Sequence, residues 1–248
     1  MTVADVWTTL PLWGWAALAL IAFCVGFAKT AIGGLVMVAV VVMALFFPAK
    51  ESTGLTLLLL VVGDLVAITI YRKNVDWKLL VSSIVPVLVG LAAGALFLVW
   101  VDDTVLRRSM GVMLLALLAI GLLPGGLIKV EKKPVAHSYG ALAGFSTMVA
   151  NAGGAALNLY LLAAKFEKWR FIATTAWFFF AVNAIKVPIS VGIGIITWPT
   201  VGLAAVLVPA VLIGAWVGRL VIKHVNQKLF DQLVTGLTAI SALYLALG

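Results

Sequence analysis

Long apolar runs separated by short polar connections dominate this chain. Each of the eight runs covers at least about 18 residues without the in-out alternation of barrel strands, and a membrane-spanning helix needs about 20. Helices satisfy their own backbone hydrogen bonds in lipid, so the pattern predicts an all-α polytopic membrane protein. The runs are 12–47, 54–71, 79–101, 105–123, 135–164, 171–196, 201–222 and 229–247.

Two of these runs are interrupted by polar residues and glycine pairs. The first would be about 54 Å long as a single helix, too long for one crossing of a bilayer. We therefore predict that each interrupted run is a hairpin of two shorter helices. The interruptions are Lys29, Thr30, Gly33 and Gly34 in the first run, and Asn151, Gly153 and Gly154 in the fifth.

A set of residues recurs in the second half of the chain at a nearly constant distance of 118 to 124 positions. This recurrence predicts two related halves, 1–124 and 135–248, joined by a linker at 125–134. Each half is a broken-helix hairpin followed by three transmembrane helices. The matched pairs are Gly26 with Gly144, Gly33 with Gly153, Gly34 with Gly154, Asp64 with Asn183, Trp77 with Trp198, Pro86 with Pro209, Gly90 with Gly214, and Gly94 with Gly218.

Charge in the loops predicts how the halves are oriented. Hydrophobic residues make up 64% of the chain and charged residues 10%, and the net charge is +8. Most lysines and arginines lie in the short loops between the apolar runs, as in membrane proteins, so the positive charge does not indicate nucleic-acid binding. If each broken run is a hairpin, one side collects nearly all loop cations and the halves are inverted. The cation-rich side is then cytoplasmic, together with the linker, and both termini lie on the outer side of the cell (inner) membrane. The predicted cytoplasmic cations are Arg72, Lys73, Lys78, Lys129, Lys132, Lys133, Lys165, Lys168, Arg170, Lys223 and Lys228, against Lys50, Arg107 and Arg108 outside.

Three charged residues, Lys29, Asp64 and Lys186, lie well inside the apolar runs rather than near their ends. A charge at the bilayer centre costs at least about 2.5 kcal/mol, so such residues often mark a transport pathway. We predict that Lys29 and Lys186 give positive charge to one site; alternatively, either pairs with Asp64 for stability alone, or Lys186 extends toward an interface. Asp64 is either a coupling carboxylate or a counter-ion of one of these lysines.

Neutral donors accompany these charges at both interruptions. Each glycine pair precedes a new helical arm, whose first backbone N–H groups lack helical partners and can bind an anion. The other reading is that the glycines only permit a turn or close packing. Side-chain donors are added by Thr30, Ser146, Thr147, Asn151 and Asn183. The sequence therefore predicts one substrate site near the bilayer centre, where the two breaks meet.

Several kinds of chemistry receive no support from the sequence. The metalloprotease, lipase and phosphate-loop motifs HExxH, GxSxG and GKS/GKT are absent. Cys24 is the single cysteine, and the two histidines, His137 and His224, lie far apart at run edges. We therefore predict no catalytic residue, no metal site and no cofactor.

Three segments resemble the sulfite exporter TauE/SafE family of membrane anion transporters. They are GFAKTAIGG at 26–34, GFSTMVANAGG at 144–154 and the stretch 183–188. The resemblance implies export or uptake of a small sulfur-containing anion such as sulfite, sulfoacetate or thiosulfate, within membrane lipid. It does not choose among these anions, nor does it give the ion coupling or the oligomeric state.

Two other functions stay open at this point. In one, the chain is a proton- or cation-coupled transporter of another metabolite that binds through Asp64, so that Asp64→Asn abolishes binding. In the other, it is a membrane scaffold that moves nothing; costly intramembrane charges argue against that alternative.

Overall fold

A computed structural model of the protein describes residues 2–31, 35–106, 108–109, 112, 133–154, 157–158, 161, 164–229, 232–233 and 236. All regular secondary structure in these residues is α-helical, as predicted. The helices are α1 (Val6–Thr9), α2 (Leu12–Thr30), α3 (Leu35–Phe46), α4 (Ala49–Ile70), α5 (Trp77–Trp100), α6 (Lys133–Ala150), α7 (Lys168–Gly192) and α8 (Trp198–Ile222).

Five of the described helices, α2, α4, α5, α7 and α8, are long and apolar enough to cross a membrane. They have 19 to 25 residues, which corresponds to about 28 to 38 Å of helix. The predicted all-α polytopic membrane fold is therefore confirmed. The last predicted span of each half, runs 105–123 and 229–247, lies largely outside the described residues.

The first interrupted run forms a hairpin. Helix α2 ends at Thr30, and α3 brings the chain back to where α2 began, since the rings of Trp13 and Phe46 lie 6.3 Å apart. Pro48 then leads directly into α4. In the fifth run, α6 ends at Ala150, the next residue, Asn151, turns the chain with a positive φ of 52°, and a new helical segment begins at Gly153. Both predicted helix breaks are therefore present.

Most loop cations among the described residues lie together at one end of the bundle, which we call the basic end. Arg170 at the start of α7 pairs with Asp76 before α5, with 2.6 Å between Nη2 and Oδ2. Lys168 reaches past the end of α8, where its Nζ lies 2.5 Å from the carbonyl oxygen of Val225. Arg72 and Lys73 follow α4 at this same end. This grouping agrees with the predicted clustering of loop charge.

The opposite end is assembled around the start of α4. Asp103, just after α5, accepts hydrogen bonds from the backbone N–H groups of Ala49 at 2.7 Å and Lys50 at 3.1 Å, and so caps α4. Gly54, one turn further, packs against the backbone of Ile195 in the turn between α7 and α8. Helix α4 therefore runs from this end to the basic end.

The matched residues include helix contacts that occur twice, in reciprocal form, at glycines. A Cβ atom at Gly26 of α2 would overlap the carbonyl of Val211 in α8, and one at Gly144 of α6 would overlap the carbonyl of Val87 in α5. Gly144 follows Gly26 by 118 positions and Val211 follows Val87 by 124, so each contact is the counterpart of the other.

A second pair of contacts repeats this exchange. Gly90 of α5 packs on the carbonyl of Ala141, and Gly214 of α8 packs on that of Phe23. These four residues are matched at the same two offsets. Helices α2 and α8 thus meet as α6 and α5 do, at backbone distances that exclude any side chain.

Helices α4 and α7 lie side by side in the core and run in opposite directions. Near the basic end, the indole Nε1 of Trp177 donates to the carbonyl of Tyr71 at 3.3 Å. Further along α7, Asn183 contacts Asp64, which precedes Tyr71 in α4. Residue numbers rise on α7 as they fall on α4. This antiparallel pair carries most of the buried polar groups.

Candidate functional site

Lys29 and Asp64 form an ion pair inside the bundle. Nζ of Lys29, in the last turn of α2, lies 2.6 Å from Oδ1 of Asp64 in α4. The side chains are 8% and 0% exposed. Gly63 gives the lysine stem room, because a Cβ at that position would stand 2.9 Å from Cγ of Lys29. The ion pair with Asp64, which the sequence analysis left open as an alternative role for Lys29, is therefore present.

The second oxygen of Asp64 is held by Asn183. Nδ2 of Asn183 donates to Oδ2 of Asp64 at 2.7 Å. The carbonyl oxygen Oδ1 of Asn183 is buried and has no hydrogen-bond partner among the described residues. Asp64 is thus fixed by one cationic and one neutral donor, whereas Asn183 retains an unused acceptor.

Lys186 lies one turn beyond Asn183 on the same face of α7 and is fully buried. Its Nζ donates to the carbonyl oxygen of Thr147 at 2.5 Å, to Oγ1 of Thr147 at 3.2 Å and to Oδ1 of Asn151 at 2.6 Å. All three acceptors are neutral. Within the part of the chain that the structure describes, Lys186 forms no ion pair.

Asn151 connects Lys186 to Thr53, which lies near the start of α4. It follows α6 with a left-handed backbone, which asparagine tolerates better than most residues. While its Oδ1 accepts from Lys186, its Nδ2 donates to the carbonyl of Thr53 at 3.0 Å. The break in α6 therefore places an amide where it contacts both long core helices.

Phe179 separates Lys29 from the second glycine pair. Nζ of Lys29 lies 4.9 Å from the centroid of the Phe179 ring, close enough for a cation–π contact. On the other side, a Cβ at Gly153 would lie 3.4 Å from this ring and one at Gly154 would lie 3.9 Å from it. The break after α6 thus approaches the Lys29–Asp64 pair, with one aromatic ring between them.

Thr30 points away from this cluster. Its Oγ1 donates to the carbonyl of Ala215 in α8 at 2.7 Å, and its own carbonyl accepts from the Tyr71 hydroxyl at 2.5 Å. The structure therefore brings together Lys29, Asp64, Asn183, Lys186, Asn151, Gly153 and Gly154 and leaves Thr30 in a helix contact. Gly33 and Gly34 lie outside the described residues.

Phe179 was not among the predicted site residues, and Thr147 was predicted only as a hydroxyl donor to the anion, whereas it accepts from Lys186. Phe179 lies one helical turn before Asn183, and Thr147 lies one turn before Asn151, so helical spacing places each on the same face as a predicted residue. Thr147 is a polar residue in a break motif, which is a usable signal. For Phe179 spacing is the only signal, because phenylalanine is common in such runs.

A comparison with protein families places the chain in a known group of proteins. The family model for the sulfite exporter TauE/SafE matches residues 18–245, nearly the whole chain. The chain belongs to the TauE/SafE family. No curated protein and no solved structure gives a significant match. TauE/SafE proteins are membrane transporters of the sulfite and anion exporter type, and every residue of the cluster lies within the matched range.

Proposed function

We propose that this TauE/SafE protein exports a small sulfur-containing anion, such as sulfite, sulfoacetate or thiosulfate, by alternating access around the buried cluster. The observation that carries the proposal is the environment of Lys186. Its ammonium group is fully buried and bonded to three neutral oxygens, with no carboxylate in ion-pair contact among the described residues. Such a charge is costly in an apolar interior unless an anion can use it.

The balance of charge in the cluster favours an anion. Lys29 and Lys186 are two cationic side chains, and Asp64, which pairs with Lys29, is the one acid of the cluster in the described structure. If all three are ionised, one positive charge remains in excess. A cation or a neutral metabolite gains nothing from that excess, whereas a sulfite-type oxyanion is stabilised by it.

Neutral groups around the lysines can supply the remaining contacts. Asn183 and Asn151 present amides, and the helical segment that starts at Gly153 and Gly154 begins with N–H groups free of helical partners. Gly33 and Gly34 occupy the matching break and have the same role in this proposal. The unused Oδ1 of Asn183 can accept a hydrogen bond from a protonated oxyanion such as hydrogen sulfite.

The reciprocal contacts support an inverted repeat as the basis of alternating access. In such a repeat, counterparts run in opposite directions, and counterparts that touch lie near the pseudo-twofold axis. The antiparallel helices α4 and α7, which meet at Asp64 and Asn183, fit that arrangement. We therefore propose halves at 1–124 and 135–248 joined by a cytoplasmic linker at 125–134.

We also propose the orientation of the chain in the cell membrane. The clustering of loop lysines and arginines at the basic end makes that end cytoplasmic by the positive-inside rule. Both termini then lie on the outer side. Export runs from the basic end to the opposite end.

Asp64 has a place in the proposed transport cycle as the group that competes with the anion for Lys29. An anion that binds Lys29 must displace the carboxylate, and protonation of Asp64 makes that displacement easier. This provides a route by which anion movement can be coupled to a proton. The route predicts that Asp64→Asn uncouples transport without abolishing anion binding.

A ligand panel tests the proposed function. Purified protein is heated with sulfite, thiosulfate, sulfate, sulfoacetate or chloride at equal ionic strength, because a bound ligand raises the unfolding temperature with the logarithm of its saturation. We expect at least one sulfur oxyanion to stabilise the protein well above chloride, and transport of that anion into liposomes. Equal shifts for all five anions, with no transport, would favour a scaffold.

A further inference from the structure

A second concentration of positive charge lies at the basic end, away from the buried cluster. It is an open cavity of about 420 Å³ between the ends of α4 and α8 and the start of α7. Its lining includes two arginines, two lysines and two aromatic residues: Arg72, Arg219, Lys73, Lys223, Tyr71 and Trp169. We call this cavity the vestibule.

The four cations of the vestibule are exposed and have no acidic partner among the described residues. The two carboxylates described at this end, Asp76 and Glu167, line a neighbouring surface, and both bond to Arg170. Neither lines the vestibule. A concave surface with this excess of positive charge attracts anions from solution and holds them better than a flat surface does.

The vestibule adjoins the chain segment that carries Lys29. Tyr71, a buried residue of its wall, donates through its hydroxyl to the carbonyl of Thr30 at 2.5 Å. On the α8 side, Gly218 packs against Oγ1 of Thr30, and Arg219 follows it in the sequence. The wall of the vestibule is therefore bonded to the residue next to Lys29.

We infer that the vestibule is a second, weaker oxyanion site that captures the anion at the basic end before it reaches Lys29. Capture requires only the four cations and the aromatic walls, whereas delivery to Lys29 rests on the function proposed above. The group recognised is an oxyanion, sulfite-like or phosphate-like. It can come from a soluble ion or from the headgroup of an anionic lipid, and the experiment separates these sources.

Trp169 provides a signal from inside the vestibule. Trp169 is half-buried, and its ring centroid lies 6.4 Å from that of Tyr71. Nζ of Lys168 lies 4.6 Å from the centroid of the Trp169 ring. Subtracting the fluorescence of Trp169→Phe from that of the parent protein isolates its emission from the other eight tryptophans. Acrylamide, a neutral quencher, then reports how accessible the indole is while sulfate is added.

The first arm uses protein in nanodiscs of phosphatidylcholine, with chloride replaced by sulfate at constant ionic strength. We expect sulfate to protect Trp169 from acrylamide with saturation. The double variant Arg219→Gln/Lys223→Gln should raise the half-saturating sulfate concentration on the order of tenfold, because two exposed charges are lost. Lys78→Gln removes an exposed lysine at the same end that does not line the vestibule, and it should change nothing.

The second arm replaces part of the lipid with phosphatidylglycerol. If a lipid headgroup fills the vestibule, phosphatidylglycerol alone protects Trp169 and sulfate adds no more; if soluble anions fill it, sulfate protects equally in both lipids. The proposal is wrong if neither sulfate nor phosphatidylglycerol protects Trp169, or if Lys78→Gln weakens protection as much as the double variant. If sulfate still protects Trp169 in Lys186→Met, the vestibule binds anions without the charge of the buried cluster. Failure of the buried site can then be told apart from failure of the vestibule.

Discussion

Asn183 donates a hydrogen bond of 2.7 Å to Asp64, the residue matched to it in the proposed repeat, 119 positions earlier in the chain. In the proposed inverted repeat, matched residues can touch only where the two halves meet. The contact therefore lies at the junction of the halves, and on either side of it are the two buried lysines, Lys29 bonded to the acid and Lys186 bonded to neutral groups.

The Lys29–Asp64 pair can be tested by a double-mutant cycle. Lys29→Met leaves a buried carboxylate without its cation and should lower the free energy of unfolding by about 3 to 5 kcal/mol. Asp64→Asn in the same protein removes the unpaired charge and should recover much of the loss. Unfolding of purified protein, measured for the two single variants and the double variant, gives the coupling. Additive losses would mean that the two side chains do not interact.

The reciprocal glycine contacts predict matched losses of stability. Gly26→Ala and Gly144→Ala each place a methyl group against a backbone carbonyl of the facing helix, at counterpart positions. Each should cost at least about 1 to 3 kcal/mol, the range for overpacking of a filled interior. Gly192→Ala is the control, because a Cβ there meets nothing within 4 Å. Thermal unfolding that ranks Gly192→Ala with the other two would contradict the packing described.

A charge-changing substitution tests the break after α6. Asn151→Asp keeps the size of the side chain and gives Lys186 a carboxylate partner, while it removes the amide donor to Thr53. The excess positive charge of the cluster disappears, so anion affinity should fall by roughly ten- to hundredfold. The protein should still fold, because the new ion pair offsets the lost hydrogen bond. Unchanged binding of sulfite in a filter or calorimetric assay would remove Lys186 from the site.

The sequence predicts much of this arrangement because charged side chains and side-chain amides are rare inside the apolar runs. Lys29, Asp64, Asn183 and Lys186 could be selected on that ground, and the structure places them in one connected cluster. Thr30 was selected with Lys29 from the same motif but faces α8. Successive residues on a helix point about 100° apart, so neighbours in a motif need not share a face.

Other features depend on packing that leaves no local signal. The aromatic ring of Phe179 and the hydroxyl of Tyr71 belong to residue types that occur throughout membrane helices, for packing and at interfaces. The cations of the vestibule come from two separate segments, at 72–73 and 219–223, and loop cations of this kind are explained from sequence alone by the positive-inside rule. Only the contact between α4, α7 and α8 gathers these side chains around one cavity.

In the proposed function, the buried ammonium group of Lys186 holds the anion. One pair of variants tests this role directly. Lys186→Met keeps much of the apolar stem and removes the charge. Lys168→Met makes the same change in a second buried lysine of α7, which donates only to carbonyls of residues 222 and 225 at the basic end. Calorimetry with the anion that stabilises the protein most gives the affinity of each folded variant.

We expect Lys186→Met to weaken binding of that anion by about ten- to hundredfold, because one charge-assisted hydrogen bond is lost. Lys168→Met should bind the anion as the parent protein does. If Lys186→Met folds and binds the anion with unchanged affinity, Lys186 is a structural residue and the buried cluster is not the anion site.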